Sequence, residues 1–186
     1  SEMCIRDRHK GHWRMEKRKF GNTGLAVSRL TFGCGAVGGL MTKGDARDQD
    51  RAIGWARDHG INFFDTAASY GNGVSEENLG RALNGNSDGL VISTKVGLSN
   101  DDLPDVYGAI TRSLDASLAR LGLDHVDIFQ LHNTLGRTDF RGTLTIDQIM
   151  DAVVPAFDKL RDSGKVRFLG FTAKGEADDV HKLVSC

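Results

Sequence analysis

Five short apolar runs along the chain have the length and the β-branched or aromatic content of buried strands. They predict strands at residues 29–32, 61–65, 90–95, 126–132 and 166–172. Each run is followed by a stretch with helical periodicity, and each strand-and-helix unit takes up about 30 to 40 residues, the usual size of a βα unit. Strands that alternate with helices in this way indicate an α/β protein with a parallel sheet.

The stretches between the strands carry the start and stop signals of helices. Apolar residues at helical spacing predict helices at residues 46–59, 75–83, 104–122 and 176–184. Ser75 is the expected N-cap of the second of these, and Pro104 fits the first turn of the third. Thr145 and Gln148 form a capping-box pattern that opens a further helix, in which Pro155 predicts a kink or a later start.

The number of strand-and-helix units bears directly on the fold class. A (β/α)8 TIM-type barrel needs eight units in about 250 residues, whereas this chain supplies about five in its 186 residues. We therefore expect a (β/α)8 TIM-type barrel that is truncated after about five βα units and preceded by a short N-terminal β-hairpin near Lys17. An open doubly wound sheet is the alternative, because five parallel strands suffice for it.

The first 14 residues differ from the rest of the chain. They show neither helix nor strand periodicity and no apolar core of a secretory signal. We expect residues 1–14 to be a non-native or disordered leader and residues 15–186 to form the partial barrel domain.

Composition and charge narrow the class of protein. The 24 basic and 25 acidic residues give a net charge of −1, so no basic excess indicates a nucleic-acid partner. No apolar run reaches the length of about 18 to 20 residues that a membrane-spanning helix needs. The three cysteines, Cys4, Cys34 and Cys186, are odd in number and far apart, which is typical of a reducing, cytoplasmic setting rather than a disulfide scaffold or structural zinc site. The oligomeric state is not indicated.

Three of the predicted strands end in a titratable side chain. These are Asp65, Lys95 and His132, and Tyr70 follows Asp65 by five residues. Taken singly, each has an ordinary structural role, as an Asx-turn residue, a solvent-directed lysine, a hydrogen-bonded histidine or a packed aromatic residue. Because the carboxyl ends of parallel strands meet at one edge of a sheet, we expect the four to lie together as an active site.

The chemistry that these four side chains suit is hydride transfer to or from a carbonyl group. A carbonyl that accepts hydride at carbon needs a proton at oxygen, which Tyr70 could give. An ammonium group beside it, Lys95, would stabilise the phenolate, and Asp65 would balance that ammonium. His132 could hold the substrate oxygen by a hydrogen bond. No histidine or carboxylate spacing indicates a metal site.

The segment GCGAVG matches the dinucleotide-binding pattern GxGxxG and follows a predicted strand. In a Rossmann dehydrogenase the third glycine, here Gly38, would open a helix. The polar segment GLMTKGD intervenes before helical periodicity begins, so we favour a flexible loop at the mouth of the barrel and keep the Rossmann fold as an alternative.

The chain resembles the aldo-keto reductase family in LTFGCGAVGG, FFDTAASYG, ISTKVG, SLARLGLDHVDIFQLHN and GKVRFLGFT, in the family's order over nearly all of residues 17–172. The resemblance implies an NAD(P)-dependent oxidoreductase that acts on a small sugar, aldehyde or ketone. The glycine-rich first loop and the LHN segment look more like the branch that acts on sugars and small aldehydes. It makes Tyr70 the proton donor or acceptor, Lys95 and Asp65 the groups that tune it, and His132 the group that orients the carbonyl. A cofactor-binding regulatory subunit of the same family is the alternative.

The resemblance also implies cofactor contacts, at Gly33, Cys34, Gly35, Asp65 and Thr172. The family often has Ser-Asn after the fifth strand, where this chain has Thr172 and Ala173. Thr172 keeps the hydroxyl group of the serine, but Ala173 lacks the amide group of the asparagine. The family's phosphate-binding segment lies beyond the part of the barrel that these residues span, which leaves the choice between NADP and NAD open. We expect the chain alone to be inactive and prone to aggregate, because an unclosed barrel exposes two sheet edges.

Overall fold

The computed structural model describes residues 15–136 and 142–185, so the predicted leader at residues 1–14 lies outside the described residues. The strands are β1 (Lys17–Lys19), β2 (Ala26–Ser28), β3 (Thr31–Gly33), β4 (Phe63–Asp65), β5 (Val91–Val96), β6 (Val126–Leu131), β7 (Thr134–Leu135), β8 (Thr143–Leu144) and β9 (Val166–Phe171). The α-helices are α1 (Leu40–Lys43), α2 (Ala46–Asp58), α3 (Val74–Leu83), α4 (Val106–Leu121), α5 (Ile146–Gln148), α6 (Val154–Arg161) and α7 (Ala177–Ser185).

The main sheet has five strands in the order β3-β4-β5-β6-β9, and every neighbouring pair is parallel. The strands thus lie side by side in the order in which the chain makes them. A doubly wound sheet reverses its strand order at a switch point, and this sheet does not. The doubly wound and Rossmann alternatives are therefore wrong, and the barrel-type sheet is confirmed.

The central strands of the sheet are buried on both faces. All six residues of β5 are buried, as expected of a parallel strand that is covered on both sides. On one face, β1 and β2 form the predicted antiparallel hairpin. A small apolar cluster lies there, formed by Leu25, Val27, Phe63, Val91 and Ile128. On the other face, a larger cluster joins the sheet to the helices, with Phe64, Ile110, Leu114 and Phe129 among its buried members.

Two of the predicted helix starts are wrong. Helix α3 begins at Val74, after Gly73 with a φ of 93°, so Ser75 lies inside the first turn and is not the N-cap. Its hydroxyl donates instead to the carbonyl oxygen of Cys34, a contact that no local pattern reveals. Pro104 lies in a separate 3-10 helix (Asn100–Asp105), and α4 begins after it with Asp105 as N-cap.

The helix predicted after Thr145 begins as expected. Gln148 and Thr145 each bond the other's backbone N–H through their side chains, which forms the capping box. A π-helical turn (Ile149–Val153) follows, and Pro155 lies in the first turn of α6. Helical backbone therefore begins at the cap and not later, and the irregularity that Pro155 predicted takes the form of the π-helical turn just before it. Pro155 itself lies where a proline has no N–H to lose.

Short elements also occupy the segments after β3 and after β6. Helix α1 lies within the segment GLMTKGD that follows GCGAVG, and β7 pairs with β8 in parallel across the loop that follows β6. Within the described residues, β3 and β9 are the edges of the main sheet, since each pairs on one side alone. No helix in residues 15–136 and 142–185 is long and apolar enough to cross a membrane.

Candidate active site

The structure brings the four predicted catalytic side chains together at the C-terminal edge of the sheet. Asp65 is the last residue of β4, and Tyr70 lies in the loop that leads from it to α3. Lys95 is the residue before the end of β5, and His132 directly follows β6. The predicted strand ends were therefore off by one residue at Lys95 and His132, which leaves both side chains at the same edge.

Lys95 is the centre of this group. Lys95 is only 5% exposed. Its ammonium Nζ donates to Asp65 Oδ2 at 2.7 Å and to the carbonyl oxygen of Thr66 at 2.7 Å. The third contact of Nζ is the hydroxyl of Tyr70, at 3.4 Å. Three partners match the three N–H groups of an ammonium, so the buried cation is fully satisfied. One carboxylate balances its charge.

His132 faces Tyr70 across the site. Their ring centroids are 5.8 Å apart and the ring planes are nearly perpendicular, at 84°. Partial burial lowers the pKa of His132, and the ammonium groups of Lys95 and Lys174 lower it further, while Asp65 offsets part of this effect. The lowered pKa favours the neutral form of the imidazole, which carries a single N–H.

Ser69 is a residue of the site that the sequence did not single out. Its Oγ lies 3.3 Å from Nδ1 of His132, although the two residues are 63 positions apart. When the serine donates this hydrogen bond, the ring proton is on Nε2. The one signal that could have found Ser69 is its place directly before Tyr70.

Asn133 fixes the chain immediately after His132. Its buried side chain accepts from the N–H of Leu98 at 2.9 Å and donates to the carbonyl oxygens of Leu98 at 2.7 Å and Gly142 at 3.0 Å. The two hydrogen bonds with Leu98 extend the pairing of β5 and β6 by one residue, and the bond to Gly142 holds the loop between β6 and β8. His132 is held from both sides, because its own N–H donates to Val96 O at 2.7 Å.

The end of β3 and the loop after it carry three of the predicted cofactor contacts. Gly33 is exposed and Gly35 lies against Tyr70, where a Cβ atom would stand 3.7 Å from the ring. Cys34 is fully buried, and burial raises the pKa of its thiol to about 12, with Asp65 adding to the rise. The backbone of Cys34 is also occupied, since its N–H donates to Asp65 O and its carbonyl accepts from Ser75. Contacts with a cofactor at these three residues stay a prediction.

Thr172 directly follows β9 at the same edge of the sheet. Its hydroxyl oxygen Oγ1 is buried and has no hydrogen-bond partner among the described residues. A buried hydroxyl without a partner costs free energy, about 1 to 3 kcal/mol. A bound group that offers a carbonyl or amide would satisfy it, so the residue fits the carboxamide end of a nicotinamide cofactor. In the described part of the chain, no cluster of three or more His, Cys, Asp or Glu residues could hold a metal ion.

The chain matches the Aldo/keto reductase family over residues 29–185. It is 36% identical over 163 residues to the L-galactose dehydrogenase of Arabidopsis thaliana, with 86% of this chain and 49% of that protein covered. A probable voltage-gated potassium channel subunit beta of the same plant is 35% identical over 136 residues, with 70% and 41% covered. The structure of a Klebsiella pneumoniae aldo-keto reductase in complex with NADPH superimposes with a TM-score of 0.69 at 27% identity, with 92% and 54% covered.

The chain spans about half the length of the curated relatives that it matches. Solved structures similar to it have the (β/α)8 barrel fold, and the five parallel strands in chain order agree with that fold. Aldo-keto reductases use NADP(H) as their cofactor. By the family match over most of its length, the chain belongs to the Aldo/keto reductase family.

Proposed function

We propose that the protein is an NADP(H)-dependent oxidoreductase that transfers a hydride between the nicotinamide cofactor and the carbonyl or hydroxyl carbon of a small sugar, aldehyde or ketone. The observation that carries the proposal is the buried Lys95 ammonium, which contacts both Asp65 and the hydroxyl of Tyr70. The cofactor, when bound, supplies or accepts the hydride. The side chains of this chain handle the proton and the orientation of the substrate.

Tyr70 is the proposed proton donor in the direction of reduction. Its hydroxyl gives a proton to the substrate oxygen, and the phenolate that remains is stabilised by the Lys95 ammonium at 3.4 Å. Asp65 keeps the ammonium in place and balances its charge, so that the cation can remain buried. In the direction of oxidation the same phenolate takes the proton from the alcohol.

His132 is the proposed group that orients the substrate oxygen. Because its lowered pKa favours the neutral form, we assign the role of acid to Tyr70 and not to His132. With the hydroxyl of Ser69 donating to Nδ1, the proton is on Nε2 and is free to donate to the oxygen of the substrate.

The cofactor would be held along the same edge of the sheet. We propose that Thr172 binds the carboxamide through its unsatisfied hydroxyl, and that Gly33, Cys34, Gly35 and Asp65 line the nicotinamide end. The preference for NADP over NAD rests on the family's use of NADP(H) and on the NADPH in the Klebsiella structure. The proposal of a sugar or aldehyde substrate is supported by the similarity to L-galactose dehydrogenase.

The test is the variant Tyr70→Phe, measured by the oxidation of NADPH with a panel of aldehydes, ketones and aldoses. Because the chain spans about half of its relatives, the assay uses the chain and also a fusion in which the C-terminal half of the Arabidopsis relative follows Ser185. We expect turnover to fall by about 10²-fold or more, the scale of lost general acid catalysis, with NADPH still bound.

A matched control is at hand because the chain has two tyrosines. Tyr107 lies on α4, where its ring contacts Lys159, and Tyr107→Phe should leave turnover unchanged. Near-normal turnover of Tyr70→Phe would remove Tyr70 from its proposed role.

The second candidate function is a regulatory subunit that binds NADPH as a redox signal. The observation that favours it is the similarity to a potassium channel subunit beta. The same assay separates the two functions. A sensor would bind NADPH but oxidise it very slowly with every substrate of the panel.

A further inference from the structure

Two buried hydroxyl groups lie directly beneath the site. Ser75 and Thr66 are both 0% exposed, and their side-chain oxygens are 3.0 Å apart. Ser75 Oγ also lies 2.8 Å from the carbonyl oxygen of Cys34. A carbonyl can only accept, and a serine hydroxyl has one proton, so Ser75 donates to Cys34. Thr66 must then donate to Ser75, which fixes the direction of both hydrogen bonds.

Each residue of this hydroxyl chain also holds a group of the proposed active site. The carbonyl oxygen of Thr66 accepts from the Lys95 ammonium at 2.7 Å. The N–H of Ser75 donates to the carbonyl oxygen of Tyr70 at 3.2 Å. The hydroxyl pair therefore links the backbone that fixes Lys95 to the backbone that carries Tyr70.

The first turn of α3 provides a fixed base for these contacts. Glu76, the residue after Ser75, is 0% exposed and accepts from Arg120 Nε at 2.7 Å. It also accepts from the hydroxyl of Thr94, the residue before Lys95. Ser75 is thus anchored to α4 and β5 independently of the hydroxyl pair. Because the backbone of Ser75 has little freedom to move, its contacts hold Thr66 and the backbone of Tyr70 in place.

We propose that Ser75 and Thr66 are positioning residues that keep the Tyr70 hydroxyl and the Lys95 ammonium at the distance that proton transfer requires. They act through the carbonyl oxygen of Thr66 and the backbone of Tyr70, and they touch neither substrate nor cofactor. The proposal rests on the proposed oxidoreductase function. It does not follow from the sequence, where Ser75 reads as a helix cap.

The test uses variants that either remove or keep each hydroxyl. Ser75→Ala and Thr66→Val remove it, and Thr66→Val preserves the shape of the side chain. Ser75→Thr and Thr66→Ser keep it. In the fusion protein, we expect the first pair to lower kcat by about tenfold to 10²-fold, the scale of a small misplacement of reacting groups, with KM for NADPH little changed. The second pair should restore turnover.

A readout that needs no substrate is the distance between the Tyr70 hydroxyl and the Lys95 ammonium, which is 3.4 Å here. Crystal structures of the fusion protein and its variants give this distance directly. We expect it to be longer in Ser75→Ala and Thr66→Val than in the parent or in the hydroxyl-keeping variants, because the backbone of each residue is then held less firmly.

The outcomes separate the two proposals. If the parent fusion fails to oxidise NADPH with every substrate of the panel, the proposed function is contradicted, and the Tyr70–Lys95 distance still decides the positioning role. If all four variants give the same kcat, or the same Tyr70–Lys95 distance, the positioning role is overturned. Should Ser75→Ala fail to fold, as judged by circular dichroism, Thr66→Val and Thr66→Ser carry the comparison.

Discussion

Gly80 allows helices α3 and α4 to approach each other closely. A Cβ atom at this position would lie 2.5 Å from Arg120 O and 2.6 Å from Leu121 O, whereas ordinary contact begins at 3.4 Å. Both atoms belong to the backbone of α4 and cannot rotate away as a side chain could. Gly80→Ala therefore requires the two helices to separate by about 1 Å, a change that a close-packed interior resists.

The cost of this change can be set against a helix-propensity gain. Overpacking a core lowers the free energy of unfolding by about 1 to 3 kcal/mol. Replacing glycine by alanine within a helix raises it by about 1 kcal/mol. Since the obstacle is backbone, we expect the upper part of that range and a net loss of stability of about 2 kcal/mol. The separation would also lengthen the bond between Glu76 and Arg120, which crosses the same helix pair.

The measurement is urea unfolding of the fusion protein followed by circular dichroism, with Gly54→Ala as the matched control. Gly54 is the glycine in the middle of α2, and a Cβ atom there meets nothing within 4 Å. Gly54→Ala should raise the free energy of unfolding by about 0.5 to 1 kcal/mol, so the two substitutions are expected to have opposite signs. A Gly80→Ala protein at least as stable as its parent would refute the reasoning.

Three further outcomes are expected. Glu76→Ala leaves Arg120 without its buried partner and should lower the free energy of urea unfolding by about 3 kcal/mol. Glu77 is exposed, so Glu77→Ala should lower it little, and equal losses would contradict this expectation. The lowered pKa of His132 means that the unfolded chain takes up a proton at higher pH than the folded chain. Stability is therefore lost as the pH falls below the ordinary histidine value of about 6.5, and His132→Gln should lessen that loss in denaturation at pH 7.5 and 5. Finally, the chain alone should aggregate and bind NADPH weakly in fluorescence titrations, because β3 and β9 are open edges; tight binding by a soluble monomer would contradict this.

The parts of the structure that local sequence determines were predictable. The capping box of Thr145 and Gln148 joins residues three positions apart, and the chain order of alternating strands and helices indicates a parallel sheet. Asp65, Lys95 and His132 were found because residues at the ends of parallel strands share one edge. Tyr70 was found because it follows one of those strand ends within a few residues.

Contacts between distant segments were not predictable from a single sequence. Ser75 has the residue type and place of an N-cap, and only its contact with Cys34, 41 positions away, shows that its hydroxyl is used elsewhere. Ser69 reaches His132 across 63 positions. The burial of Glu76 likewise depends on Arg120, which a helix pattern would place on a solvated face. In each case tertiary packing decides what the side chain does.

The order of the strands also bears on how the protein is made. Each strand of the main sheet after β3 pairs with the strand that precedes it in that sheet along the chain, so each pairing joins segments that are close in sequence, at a modest entropic cost. Asp65 and Lys95 are 30 positions apart in the sequence, and Ser69 and His132 are 63 positions apart. Once residue 132 has emerged from the ribosome, all four side chains of the candidate site are available to assemble. The remaining strands can then be added to an already ordered edge during synthesis.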